Sequence, residues 1–163
     1  MSVTEELVQA NAQYSDRFDK QGLAMPPARH VAVLTCMDAR LVPSRMLGLE
    51  EGDAHVIRNA GGRAQDAVRS LVISQRLLGT KEVVVIHHAD CGMLSFTSDQ
   101  LSAKVKEDLG ADDGGIDYLP FSEVTQSVRD DVEYLRKSPL IADDVLITGF
   151  VYDEQTGGLT EVS

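Results

Sequence analysis

The sequence has few of the residues that disulfide-rich or membrane-spanning proteins need. Only two of its 163 residues are cysteine and none is tryptophan. Two thiols argue against a disulfide framework, and no apolar run approaches the ~20 residues of a membrane helix. The stretch MSVTEELVQ is acidic and lacks the apolar segment of a secretory signal. We therefore expect a cytoplasmic protein.

Positive charge is also scarce. Lysine and arginine number 15 against 26 acidic residues, which gives a formal net charge of −11. Nucleic acids and anionic membranes repel such a surface, so we expect neither as a partner. Hydrophobic residues make up 43% of the chain, which together with its length indicates one folded domain of ordinary size.

Short apolar runs alternate with segments of helical periodicity. The runs predict strands at residues 30–36, 54–60, 81–88, 144–153 and 158–162. The segments between them predict helices at residues 43–49, 64–79, 97–109 and 121–139. This alternation indicates βαβ units and a mostly parallel sheet of four strands, and the tight turn before the fifth makes that strand antiparallel. We expect a three-layer α/β domain with helices on both faces of the sheet.

The first residues of the chain form a separate segment. Residues 4–18 predict a helix with Thr4 as its N-cap, and Met25-Pro26-Pro27 prevents that helix from continuing. We therefore divide the chain into an N-terminal helical arm, residues 1–24, and one α/β domain, residues 25–163.

Both cysteines and one histidine stand at the ends of predicted strands. Cys36 ends the first strand, His88 ends the third, and Cys91 follows three residues later. If the first and third strands are neighbours, the three side chains meet at the carboxyl edge of the sheet. Two thiolates and an imidazole suit Zn²⁺, and three ligands leave the open position of a catalytic site. The alternative is ordinary core packing of two thiols and a hydrogen-bonded histidine.

Other candidate residues lie beside these ligands. Asp38 follows Cys36 closely and can bind a metal or accept a hydrogen bond from its water, and Arg40 can keep that carboxylate ionised. The alternative is a loop salt bridge of little energetic value. Gly61 and Gly62 end the second strand and let backbone approach a substrate closely, or simply form a strand-to-helix turn. His87 should point to the opposite face from His88, in a structural or surface role.

Three stretches together resemble the signature sequences of the β-class carbonic anhydrases. They are Cys-Met-Asp-Ala-Arg at 36–40, Arg-Asn-Ala-Gly-Gly at 58–62 and His-Ala-Asp-Cys-Gly at 88–92. The resemblance implies zinc held by Cys36, His88 and Cys91, with Asp38 and Arg40 acting as a pair. It also implies the strand order 2-1-3-4 with the fifth strand at the edge, and a homodimer or dimer-based oligomer in which the N-terminal helix lies across the partner.

The activity that this resemblance implies is reversible hydration of carbon dioxide to bicarbonate and a proton by a zinc-bound hydroxide. At low pH, Asp38 is expected to turn from Arg40 and become a fourth zinc ligand. The sequence is also similar to carbonyl sulfide hydrolases, which use the same ligands, so carbonyl sulfide is the alternative substrate. A third possibility is a non-catalytic zinc or redox protein whose site Asp38 closes permanently.

Overall fold

The computed structural model describes all 163 residues around one five-stranded sheet. The strands are β1 (Val31–Cys36), β2 (Ala54–Asn59), β3 (Glu82–His88), β4 (Leu146–Asp153) and β5 (Gly158–Glu161). Their order is β2-β1-β3-β4-β5, with parallel pairing throughout except between β4 and β5, which are antiparallel. The predicted α/β class, strand order and antiparallel edge strand are therefore confirmed.

Five helices accompany the sheet. They are α1 (Val3–Ser15), α2 (Pro43–Leu47), α3 (Val68–Leu78), α4 (Ser98–Leu109) and α5 (Val124–Lys137). The main core includes Leu71 of α3 and Val132 of α5, packed against side chains such as Leu34 and Val85 from the sheet. On the other face, Leu47 of α2 lines a groove of about 370 Å³ over β1 and β3.

The predicted N-cap of the first helix is wrong. Ser2 caps α1, because its hydroxyl accepts from the Glu5 N–H at 3.2 Å while the Glu5 carboxylate accepts from the Ser2 N–H at 2.6 Å. This reciprocal pair needs an acidic or amide side chain three residues after the cap. Thr4 has Leu7 at that position, so it cannot form the pair and lies inside the helix instead.

The third helix begins four residues later than predicted, at Val68 instead of residue 64. A short 3₁₀ turn, Ala60–Gly62, follows β2, and Ala67 N–H bonds to the Ala64 carbonyl in a further turn. The Ala64 N–H donates to the carboxylate of Asp131 on α5 at 2.8 Å, so a distant side chain holds this backbone. The irregular segment between β2 and α3 therefore packs against the end of β1.

The N-terminal segment has no core of its own. Residues 1–26 are all exposed, and Pro27 is the first buried residue of the chain. No helix anywhere in the molecule combines the length and apolarity required to cross a bilayer.

Candidate metal centre

The three predicted ligands lie together at the carboxyl edge of the sheet. Cys36 is the last residue of β1 and His88 the last of β3, and these two strands are parallel neighbours. Cys91 immediately precedes a 3₁₀ turn, Gly92–Leu94. The two sulfur atoms and one ring nitrogen of His88 all lie within 4.8 Å of one another, and all three residues are buried. This spacing brings three metal-binding atoms around one point.

The His88 ring is oriented for metal binding. Its Nδ1 hydrogen-bonds to the carboxylate of Glu154, so this nitrogen carries the proton. Its Nε2 is buried without a hydrogen-bond partner. A buried, unpaired nitrogen is costly unless something binds its lone pair. Together with two thiols, this nitrogen forms a donor set that fits zinc, with one position left open.

The surroundings shift the pKa values of the two thiols in opposite directions. A hydrogen bond from Cys91 lowers the pKa of Cys36 to about 4, against the opposing effect of burial, and the neighbouring His88 ring lowers it further. The hydrogen bond to Cys36, and then burial, raise the pKa of Cys91 above its ordinary value. Burial lowers the pKa of His88, but the nearby Cys36 thiol and the hydrogen bond to Glu154 outweigh this effect, so that the pKa of His88 is raised. Cys36 therefore ionises more readily than Cys91.

These directions predict that zinc affinity rises with pH. Because the pKa of Cys91 is raised, this thiol keeps its proton near neutral pH and zinc must displace it. Lowering the pH adds competing protons, so the Kd for zinc should increase about tenfold per pH unit for each proton displaced. Competition with a chromophoric chelator at pH 6, 7 and 8 measures this slope. An affinity independent of pH would contradict the assignment of Cys91 as a ligand.

Asp38 and Arg40 form a closely bonded pair beside the ligands. Both the backbone N–H and Nε of Arg40 donate to Asp38 Oδ1, at 2.8 and 3.0 Å, and Nη2 donates to Oδ2 at 2.8 Å. The Arg40 side chain holds the pKa of Asp38 well below its usual range, so the carboxylate stays ionised. Its Oδ2 lies 3.9 Å from Nε2 of His88, on the side of the ligand atoms.

Further polar residues that the sequence did not single out complete the site. Arg58 donates to the carbonyl oxygens of Cys36 and Asp38 at 2.9 and 2.6 Å, which fixes the loop after β1. Arg40 also donates to the Asp90 carboxylate at 2.7 Å and to the Asp90 carbonyl at 2.8 Å. Arg58 and Asp90 lie within the quoted motifs and could have been found there. Glu154 lies 66 residues from His88, and no local pattern marks it.

Gly61 and Gly62 lie in close contact with the residues around the predicted ligand Cys36. Gly61 has φ +79°, and its backbone N–H helps to lower the pKa of Cys36. A Cβ on Gly61 would lie 2.8 Å from Met93, and one on Gly62 would lie 2.9 Å from the Thr35 backbone. Close packing and positive φ therefore require glycine at both positions. Their predicted contact with substrate stays a prediction.

A buried polar network lies behind this glycine turn. His87 is fully buried and points away from the ligands; its Nε2 lies 3.2 Å from the Gly62 carbonyl and 3.3 Å from the Asp131 carboxylate. Asp131 accepts from Arg63 Nη2 and from Ala64 N–H, both at 2.8 Å. Asp131 thus ties α5 to the turn that carries the Gly61 N–H.

The fold and site define a class of protein: an α/β domain with a Cys₂His metal centre at the carboxyl edge of a parallel sheet and an Asp–Arg pair next to it. The model of the carbonic anhydrase family matches residues 31–117. "Beta-carbonic anhydrase 1" of Mycobacterium tuberculosis is 42% identical over 166 aligned positions, which cover 100% of this chain and 99% of that protein.

Solved structures and other relatives agree with that match. The crystal structure of carbonic anhydrase from Streptococcus mutans has a TM-score of 0.95 and 46% identity, with 100% of this chain and 99% of that one covered. The "Carbon disulfide hydrolase" of Acidianus is 36% identical, covering 81% of this chain and 76% of its own. The chain belongs to the β-class carbonic anhydrase family.

Proposed function

We propose that this protein catalyses the reversible hydration of carbon dioxide to bicarbonate and a proton, with zinc bound by Cys36, His88 and Cys91. The observation that carries the proposal is the convergence of three buried ligand atoms within 4.8 Å, one of them the otherwise unpartnered Nε2 of His88. The relatives named carbonic anhydrase that match over nearly their whole length support the same reaction.

Each residue of the site has a distinct task in this reaction. Zinc held there would supply the Lewis acidity that makes water a nucleophile near neutral pH. Asp38, kept ionised by Arg40, accepts a hydrogen bond from the attacking water and orients it. Leu41 and Met93 pack with the two cysteines and give the site an apolar wall, which suits an uncharged substrate.

We also propose that Asp38 controls access to the fourth coordination position of the zinc site. Because Arg40 lowers its pKa, the carboxylate is charged over the whole physiological range and available as a metal ligand. With zinc bound, Asp38 would be able to leave Arg40 at low pH and take the fourth zinc position, which would stop catalysis. In the conformation described here, both of its oxygens are bonded to Arg40, which corresponds to the open arrangement.

Two alternatives remain as outcomes of the test. Hydrolysis of carbonyl sulfide to carbon dioxide and hydrogen sulfide is the second candidate, favoured by the similarity to a protein named carbon disulfide hydrolase. A non-catalytic zinc protein would need a permanently closed site. The bonding of Asp38 to Arg40 argues against that closure, because it gives the carboxylate another partner.

The deciding experiment is a set of gas assays on the purified protein together with metal analysis. We expect about one zinc per chain, because three ligands converge once, and rapid proton release when carbon dioxide is mixed with the protein. Carbonyl sulfide and carbon disulfide are assayed in parallel by hydrogen sulfide release. A zinc-loaded protein inert toward carbon dioxide would overturn the proposal; activity on carbonyl sulfide alone would establish the second candidate.

The Asp38–Arg40 pair provides a mutational prediction. Asp38→Ala and Arg40→Ala should each lower turnover while zinc stays bound, because neither residue is one of the three ligands. If Arg40 acts by orienting Asp38, the double variant should lose little more than Asp38→Ala alone. Stopped-flow assays of the four proteins measure this coupling, and losses that simply multiply would contradict the pairing.

We also propose that the protein is a homodimer in which residues 1–24 form an arm that lies on a second copy of the chain. The apolar residues Val3, Leu7 and Val8 of α1 are 64–70% exposed, and no residue of this helix is buried. A helix with exposed apolar side chains and no contact to its own core is typical of a subunit interface.

Deletion of residues 1–20 tests the arm. The shortened protein should be monomeric or should aggregate, because the surface that the arm covers on the partner becomes exposed. Light scattering coupled to size exclusion gives the mass of each form. A full-length monomer, or a truncated protein that remains dimeric and fully active, would contradict this role.

A further inference from the structure

Glu154 is a buried carboxylate in a position that its local sequence does not explain. It follows β4 directly and lies in the turn to β5, yet its side chain is only 7% exposed. The chain has 26 acidic residues, and most such groups remain in water. A carboxylate withdrawn from solvent needs polar partners to offset its lost hydration.

The turn itself does not depend on this side chain. The side-chain capping of this hairpin comes from Asp153, whose carboxylate accepts from Gln155 N–H at 2.7 Å and from the Thr156 hydroxyl at 3.1 Å. Glu154 instead points toward the ligand atoms. Its burial is therefore explained by contacts with the metal centre and not by hairpin formation.

Two of those contacts join the ligand segment. Oε1 of Glu154 accepts the hydrogen bond from Nδ1 of His88, and the Asp90 N–H donates to both Glu154 oxygens, at 3.1 and 3.3 Å. Asp90 lies between the ligands His88 and Cys91. Its carboxylate and carbonyl receive two N–H groups of Arg40. One side chain thus links a metal ligand with the backbone that anchors the Asp38–Arg40 pair.

We propose that Glu154 is a positioning residue for the metal centre, an inference that rests on the zinc site of the proposed function. By accepting the Nδ1 proton it fixes the tautomer in which Nε2 of His88 carries the free lone pair. Its negative charge increases the basicity of the imidazole, and such partners of ligating histidines strongly affect metal affinity. Through the Asp90 N–H, it also holds the segment to which Arg40 is bonded.

The test compares zinc affinity in three variants of the full-length protein. Glu154→Gln removes the charge while keeping the size of the side chain, and Glu154→Asp keeps the charge on a shorter chain. Glu161→Gln, an exposed residue of β5 in the same hairpin, is the control for loss of one negative charge. Zinc is removed by a chelator, and its Kd is measured by competition with a chromophoric indicator at a fixed pH.

Glu154→Gln should bind zinc roughly 10- to 100-fold more weakly than the unmodified protein. Glu161→Gln should bind it equally well, and Glu154→Asp should recover much of the affinity that glutamine loses. An unchanged Kd in Glu154→Gln would overturn the inference. Equal losses of zinc affinity in Glu154→Gln and Glu154→Asp, together with equal decreases in Tm, would also overturn the inference. That pattern would indicate a structural role. Failure of the unmodified protein to bind zinc would instead refute the proposed function.

Discussion

Replacement of Cys91 by alanine is expected to remove the bound zinc and reduce carbon dioxide hydration to the uncatalysed rate. Catalytic zinc sites rely on three protein ligands and keep the fourth position for water or substrate. With Cys91 gone, only Cys36 and His88 remain of the atoms that lie within 4.8 Å of one another. Metal analysis after dialysis, with stopped-flow assay of the same sample, measures both losses.

The control for this variant is Met37→Ala, which truncates a side chain in the loop after Cys36 that is 65% exposed. It should retain zinc and activity, because that side chain lies outside the buried ligand cluster. Alanine replacements of Cys36 and His88 should behave like Cys91→Ala. Full zinc occupancy in Cys91→Ala would remove this residue from the ligand set.

A large loss of stability is expected in Asp131→Ala, a substitution that is distant in sequence from the predicted metal ligands. This fully buried carboxylate accepts from Arg63 and from the Ala64 N–H, both at 2.8 Å. Removing one partner of a buried ion pair leaves the other charge uncompensated, at a cost of about 3–5 kcal/mol in the free energy of unfolding. For a domain of this size, Tm should fall by roughly 6–20 °C.

Asp130→Ala is the matched control, since Asp130 is exposed and lies next to Asp131 on the same helix. It should change the free energy of unfolding by less than about 0.5 kcal/mol. Denaturant unfolding of both variants measures the difference. If Asp131→Ala unfolds within about 1 kcal/mol of the unmodified protein, the network does not stabilise the turn as its contacts indicate.

Zinc binding should also weaken in Asp131→Ala. Asp131 holds the backbone at Ala64, directly after the glycine turn whose Gly61 N–H helps to lower the pKa of Cys36. Loosening this turn moves the Gly61 N–H away from Cys36, which makes the thiolate that zinc needs harder to form. A variant with reduced stability and unchanged zinc affinity would show that the network supports the fold alone.

Sequence patterns located the strands well and the helix starts less well. All five strands were predicted to within two residues: apolar runs located β1, β3 and β4, which lie in the covered part of the sheet, and the tight turn after β4 located the exposed strand β5. The start at residue 64 was wrong because the apolar pattern continues upstream while the Ala64 N–H is bonded to Asp131. Thr4 was wrong because capping depends on a partner three residues later.

The residues of the candidate site also differ in whether the sequence alone could locate them. Cys36, His88 and Cys91 could be placed together from the sequence, because two of them end strands that topology makes parallel neighbours. Asp38 and Arg40 lie two residues apart, so their pairing was local enough to predict. Glu154 was missed, although the register that pairs His88 with Tyr152 leaves it just two residues beyond the end of that ladder.

The sequence by itself determined the α/β class, the positions of the strands, and the residue types that can hold zinc, because each depends on periodicity or on spacing within a short segment. Only the tertiary structure decided that Glu154 hydrogen-bonds to His88 and that Asp131 bonds to the backbone directly after the glycine turn. These carboxylates come from segments 66 and 67 residues away from their partners. Their burial depends on how the β4–β5 hairpin and α5 pack against the sheet, and no local pattern encodes that packing.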